Sequence, residues 1–210
     1  FENKINSQNK EINKLKEEIK EIKAIKDNKE KKVLKQNILI DSQILKENEK
    51  EMIFSAIESR INKQIISIQK LFQASIYDGE PSNFHSKCDN KKNTLVLIQS
   101  GNNERFGGFT SNFWESTSSE VFKDDKDAFV FSLDKQKIYK YKNDGKAIRC
   151  FKEYGPWFGY GPLIGLYKNP FKEKSLFSFN YNNSYDIEKG FLSQLGDYAK
   201  EYEVFQIIFE

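Results

Sequence analysis

The sequence predicts an α+β chain, in which an N-terminal coiled-coil helix precedes a two-sheet antiparallel β-sandwich flanked by helices. Three observations predict it. All 11 glycines and all 4 prolines lie beyond residue 78, so the first third of the chain holds no residue that breaks a helix. Fifteen of the 18 phenylalanines and nine of the 10 tyrosines lie there too, and aromatic side chains suit half-buried strands. Finally, helical apolar spacing before Gly79 gives way to short apolar runs divided by turns.

The 210 residues and 24.7 kDa suffice for one packed domain and an appendage. Mean hydropathy is −0.72 and 31% of residues are charged, polar for one compact globule. No run approaches the roughly 18 apolar residues of a transmembrane helix. The start at Phe1-Glu2-Asn3-Lys4 shows neither an initiator Met nor a signal-peptide pattern, which predicts an internal fragment. The 34 basic and 31 acidic residues leave a net charge of +3, too balanced to imply a nucleic-acid partner. Two cysteines, Cys88 and Cys150, cannot build a disulfide scaffold, so a reducing, cytoplasmic setting is expected.

Between Glu2 and about Lys35, Ile5, Ile12 and Ile19 recur every seventh residue, and Leu15 and Ile22 sit three beyond the last two. This is an a/d heptad seam flanked by Lys and Glu, with Gln8 at one d position and Ile25 off register. Such a helix is about 50 Å long. Its stripe is too narrow for a globular core, so it needs a partner. Ile38-Leu39-Ile40 and the cap or turn signal Asp41-Ser42 open the second regime. Helical spacing at Met52, Ile53, Ala56 and Ile57, then at Ile61, Ile65, Ile68 and Leu71-Phe72, predicts two helices packed on the following domain.

Strands are predicted next at 94–98 and 105–110, joined through Gly101-Asn102-Asn103, with Gly107-Gly108 marking a bulge or close backbone contact. A second hairpin spans 128–133 and 136–141 around Asp134-Lys135. Further strands are expected at 147–151, 163–167, 176–180 and 204–209, a pattern that fits a sandwich.

The chemistry-bearing motifs are sparse. His85, the single histidine, stands three before Cys88, but structural zinc needs four ligands and only Cys150 remains to help. A Cys–His nucleophilic pair needs the two side chains to face each other in a cleft. The glycine-dense stretch from Gly155-Pro156 through Gly159 to Pro162 lacks the Lys-Ser or Lys-Thr of a Walker loop and the following helix of a dinucleotide site. It reads as a tight turn whose aromatic rings cover backbone. Asp89, Glu115, Asp124, Asp125, Asp127, Glu203 and Glu210 read as solvated turns and strand ends. Lys87, Lys91 and Lys92 read as loop surface. No metal or cofactor is expected, and a binding module fits better than an enzyme.

An ordered set of motifs resembles the TLDc domain family. It comprises Phe84-His85 with Cys88-Asp89, Thr94-Leu95 with Leu97-Ile98, Phe106-Gly107-Gly108-Phe109-Thr110-Ser111, Trp114, residues 127–133, Gly155-Pro156 with Phe158-Gly159, and Glu203-Val204-Phe205. The likeness extends back through Ser42-Gln43-Ile44-Leu45. It divides the chain into a coiled-coil helix over 1–36 and a TLDc domain over 38–210, with leading helices over 38–78 and a sandwich core over 84–210. The resemblance implies a sandwich of two antiparallel sheets, no established active site, and a protein-binding regulator. At Pro162-Leu163 the chain departs from the acidic residue that many members carry.

Three roles are expected. The first is a non-catalytic adaptor whose helix seam, Ile5, Ile12, Leu15, Ile19 and Ile22, docks into a larger assembly such as a cytoskeletal or ciliary complex. The second, implied by the resemblance, is regulation of the vacuolar proton-pumping ATPase through the sandwich surface, on the cytosolic face of an acidic organelle. The third is oxidant defence through a reactive Cys88 thiol. The motif residues Phe84, His85, Cys88, Asp89, Gly107, Gly108, Trp114, Gly155, Pro156, Gly159 and Glu203 are expected to be structural.

Overall fold

The computed structural model describes residues 2–36, 38–160, 164–174, 184–187 and 197–210, with side chains in the first helix described at 6 and 8–26. The chain divides into two compact units, Phe1–Leu39 and Ile40–Glu210. The first is a single helix, α1, over Glu2–Gln36. Good helix formers without glycine or proline sustain it. Exposed ion pairs such as Lys14–Glu18 and Lys20–Glu17, each at 3.8 Å, add a few tenths of a kcal/mol at most.

The second unit opens with an irregular segment that Ser42 organises. Its Oγ accepts the backbone N–H groups of Ile44 (3.0 Å) and Leu45 (2.9 Å), and both residues are buried. A short 3₁₀ turn at Glu47–Glu49 leads into α2, Lys50–Ile61. Ile53, Phe54 and Ile57 form its buried stripe, at the spacing expected of a core-facing helix. Asn62, in the left-handed conformation at φ 56°, ends the helix, and its N–H donates to the Glu58 carbonyl at 2.8 Å.

Beyond Asn62 the chain does not form the second helix predicted over 61–72 but a strand, β1, Ile65–Gln73. The helical spacing misleads for a physical reason. Bulges between Ile65 and Ser67 and between Lys70 and Phe72 interrupt the register with the last strand, so β1 lacks the two-residue alternation that betrays a strand. Helix α3, Pro81–Cys88, starts with proline at its first turn after an extended Glu80.

Among the described residues, nine strands come after α3: β2 Thr94–Ser100, β3 Arg105–Thr110, β4 Val121–Lys123, β5 Phe129–Ser132, β6 Lys137–Lys140, β7 Ile148–Cys150, β8 Tyr154–Phe158, β9 Ile164–Tyr167 and β10 Ala199–Phe209. They form, with β1, a six-stranded sheet in the order β1-β10-β2-β3-β5-β6 and a four-stranded sheet in the order β4-β7-β8-β9. Every pairing between these strands is antiparallel. The strand expected at 176–180 lies outside the described residues.

One core fills the space between the sheets. Val96, Ile98, Phe106 and Val130 enter from the large sheet, and Ile148, Phe158, Ile164 and Leu166 from the small one. Phe109, Phe129 and Phe131 occupy the opposite face of the large sheet, where the Arg60 guanidinium of α2 lies 4.6 Å from the Phe129 ring centre. Because both faces of this sheet are covered, β2 reads as a continuous apolar run.

Gly107 and Gly108 mark close approach and not a bulge, since the register of β2 with β3 runs without a shift. A Cβ at Gly107 would lie 2.0 Å from the Val96 carbonyl oxygen, and one at Gly108 would lie 2.7 Å from the Phe158 ring. The tight turn predicted from Gly155 is instead the strand β8, and the chain turns only at Gly159, φ +88°. A register irregularity between Tyr154 and Trp157 accommodates Pro156, which has no N–H to donate. Besides Phe158 over Gly108, the Trp157 ring covers a glycine, 2.6 Å from where a Cβ on Gly165 would stand.

Candidate functional site

On α3, residues four apart share a face. Phe84 and Cys88 point into the core, where the Phe84 ring meets Phe72 at 6.1 Å and Trp114 at 5.8 Å, both edge-on. Trp114 in turn donates its indole N–H to Thr94 Oγ1 at 2.9 Å. His85 and Asp89 occupy the neighbouring face and border a shallow depression of about 520 Å³ with Ser82, Ser86, Ser116, Lys152 and Glu153. The His85 imidazole is spoken for on both sides. Nε2 donates to the Phe151 carbonyl at 3.0 Å, and Nδ1 lies 2.7 Å from the Asp89 carboxylate. His85 thus ties α3 to the segment after β7, and neither nitrogen is turned toward a thiol.

The cysteines are poor nucleophiles. Cys88 is fully buried, and burial, then the Asp89 charge, pushes its thiol far above the ordinary range. Burial raises the Cys150 thiol to about 11. A reactive cysteine needs an exposed, electropositive setting, and both thiols are buried. Among the described residues, no three His, Cys, Asp or Glu side chains group as metal ligands.

Several carboxylates are not solvated turn residues as predicted. Asp125 is buried and accepts hydrogen bonds from Thr110 Oγ1 (2.6 Å), Ser111 N–H (2.6 Å), Ser111 Oγ (2.7 Å) and Asp127 N–H (3.1 Å). Buried Glu203 accepts from the Ser42 hydroxyl and the Gln43 N–H (3.0 Å), and Lys70 Nζ lies at 3.4 Å. Each holds a loop or the leading segment against a sheet. Only a run of donors starting at Thr110 hinted at the first of these.

The face of the small sheet turned away from the core carries a layer of rings and cations that sequence reasoning missed. Phe122 pairs with Arg149 across β4 and β7, and the Arg149 guanidinium lies 4.8 Å from the Trp157 ring and 5.4 Å from each of Phe122 and Tyr154. Glu120 closes the stack as an ion-pair partner of Arg149, whose hydrogen bond holds the Glu120 carboxyl below the usual carboxylate range. Lys146 Nζ extends the layer, 3.7 Å from the Tyr160 ring. The alternation of β7 and β8 places these groups together, a juxtaposition that no local motif announces.

The seam on α1 has the opposite character, being apolar and open. Ile12, Leu15, Ile19 and Ile22 are 48, 51, 52 and 64% exposed. They align along one side of a continuous helix, and no other described residue of the Phe1–Leu39 unit covers them. Ile5 shares the a position of Ile12 and Ile19, and its side chain lies outside the described residues. Of the predicted site residues, the structure therefore aligns the described seam positions on α1. It gathers Phe84, Cys88, Gly108 and Trp114 around the sandwich core and distributes Gly155, Pro156, Gly159 and Glu203 among structural positions in the strands and turns. No helix among the described residues is long and apolar enough to cross a membrane.

A two-sheet antiparallel sandwich led by helices, with its histidine and cysteines buried, defines an α+β domain. The chain belongs to the TLDc domain family: the family model matches residues 38–207. That range spans α2, α3 and all ten strands up to the last residues of β10 and leaves α1 outside. No curated protein matches the chain.

Proposed function

We propose that this chain is a non-catalytic TLDc adaptor, docked by α1 into a larger assembly where it holds the sandwich in place. The observation that carries this reading is the exposed apolar seam of Ile12, Leu15, Ile19 and Ile22 on a 35-residue helix. Fully burying a leucine or isoleucine is worth about 1.5–3 kcal/mol, and a lone helix gains little stability without covering such a face. A helix about 50 Å long suits a filamentous host of the cytoskeletal or ciliary kind. The non-catalytic part draws support from the engaged nitrogens of His85 and the raised thiols of Cys88 and Cys150.

Affinity purification of the full chain from its native cells, beside a chain lacking residues 1–36, tests the reading. The full chain is expected to bring down helical partners that the shortened chain loses. Equal recovery of the same partners by both would transfer binding to the sandwich. Proton-pump subunits among them would then favour the pump-regulator role.

A further inference from the structure

Resting on the reading of α1 as the docking element, we infer that the partner seated in its seam is a second copy of this chain, aligned parallel and in register. With Ile12 and Ile19 at a and Leu15 and Ile22 at d, the flanking positions are fixed. Glu11 and Glu18 fall at g, and Lys16 and Lys23 fall at e. In a parallel pair, g of one heptad faces e of the next heptad on the partner. Glu11 then faces Lys16 of the second copy and Glu18 faces its Lys23, and symmetry doubles both contacts.

An antiparallel pair brings g against g and e against e. That sets Glu opposite Glu and Lys opposite Lys, an arrangement that costs stability at every flank. The charge pattern is thus self-complementary in one orientation only. The ion pairs within the helix leave the pattern intact. Glu17–Lys20 lies on the far side from the seam, and Glu18–Lys14 is long at 3.8 Å, with both side chains more than half exposed. Isoleucine at a with leucine at d, as at Ile12, Leu15 and Ile19, favours two strands, whereas isoleucine at d, as at Ile22, favours higher oligomers, so the mass decides the number of strands. Two sandwiches would then leave the coil from the same end, so the assembly would receive TLDc domains in pairs.

Sedimentation equilibrium of the full chain is the test, with two charge variants. Glu11→Lys/Glu18→Lys and Lys16→Glu/Lys23→Glu each turn the flanking attractions into repulsions without touching the seam. Wild type is expected to sediment at twice the 24.7 kDa chain mass, reversibly on dilution. Each variant alone should associate about tenfold or more weakly, and a 1:1 mixture of the two should recover pairing. Orientation is read from Gln8→Cys at a d position, which should form a disulfide-linked pair in a glutathione redox buffer.

A wild type that stays monomeric across the concentration range overturns the self-pairing and leaves docking onto another protein's helix standing. So does association that both charge variants retain. A trimeric mass, or failure of the Gln8→Cys chains to link while they pair, overturns the two-stranded parallel arrangement. Loss of partners on deleting residues 1–36 tests the docking itself and is scored separately.

Discussion

Adjacent glycines on β3 serve opposite faces of the large sheet. Gly107 lets the Val96 backbone and the Phe131 ring close in, and Gly108 seats the Phe158 ring. A methyl group at Gly107 meets backbone that cannot step aside, so Gly107→Ala is expected to cost about 3 kcal/mol. Gly145→Ala is the comparison. There a Cβ meets nothing within 4 Å, and only the backbone conformation, φ +81°, is strained, a cost of about 1 kcal/mol. Urea unfolding of both variants checks the difference, and equal losses would contradict the close-approach account. Cys150 makes a pH prediction. Its thiol titrates near 11 when folded, against 9.0 for a free thiol, so the folded state holds its proton more tightly. The resulting stability is complete below about pH 9 and disappears as pH rises toward 11, a loss of roughly 2–3 kcal/mol. In Cys150→Ala the fall in urea midpoint between those pH values should be shallower than in wild type.

Among the elements, Arg105 ties the leading segment to the sheet, beside Glu203, which holds it at Ser42 and Gln43. Arg105 of β3 donates to both Glu49 oxygens (2.9 and 2.7 Å), to Asp134 (3.0 and 2.8 Å) and to the Ile44 carbonyl (3.1 Å). Lysine keeps the charge but lacks the planar fork, so Arg105→Lys should cost about 2 kcal/mol. It should also speed amide exchange in residues 44–61 more than in β2, as hydrogen-exchange mass spectrometry would show. The same elements mark where the sequence was readable. β2, β3 and β5 showed as apolar runs bounded by turn residues, because both faces of their sheet are buried there. The ordered motif set placed the sandwich. β1 passed for a helix because two bulges erase its alternation, and β8 for a turn because Gly155 and Pro156 are rare inside strands. Glu203 stayed hidden because its partners Ser42 and Gln43 stand at the other end of the domain, and Asp125 and the Arg149 layer because only the folded strands and turns bring their partners together. The seam of α1 was legible throughout, since heptad spacing depends on the helix alone.

At the scale of the whole molecule, a TLDc sandwich with its histidine and both cysteines buried shares a chain with a helix whose apolar side is open. The central claim is that this seam joins the chain to its assembly. The most direct test alters the seam within the full chain, as Leu15→Lys/Ile19→Lys, and compares it with wild type by cross-linking mass spectrometry in native cells. Both substitutions keep good helix propensity and lie outside the TLDc match at 38–207. Cross-links from residues 1–36 to partner helices are expected to disappear in the variant and the chain to leave its assembly, while cross-links within residues 84–210 stay unchanged. A variant that keeps both its helix cross-links and its place in the assembly would contradict the account.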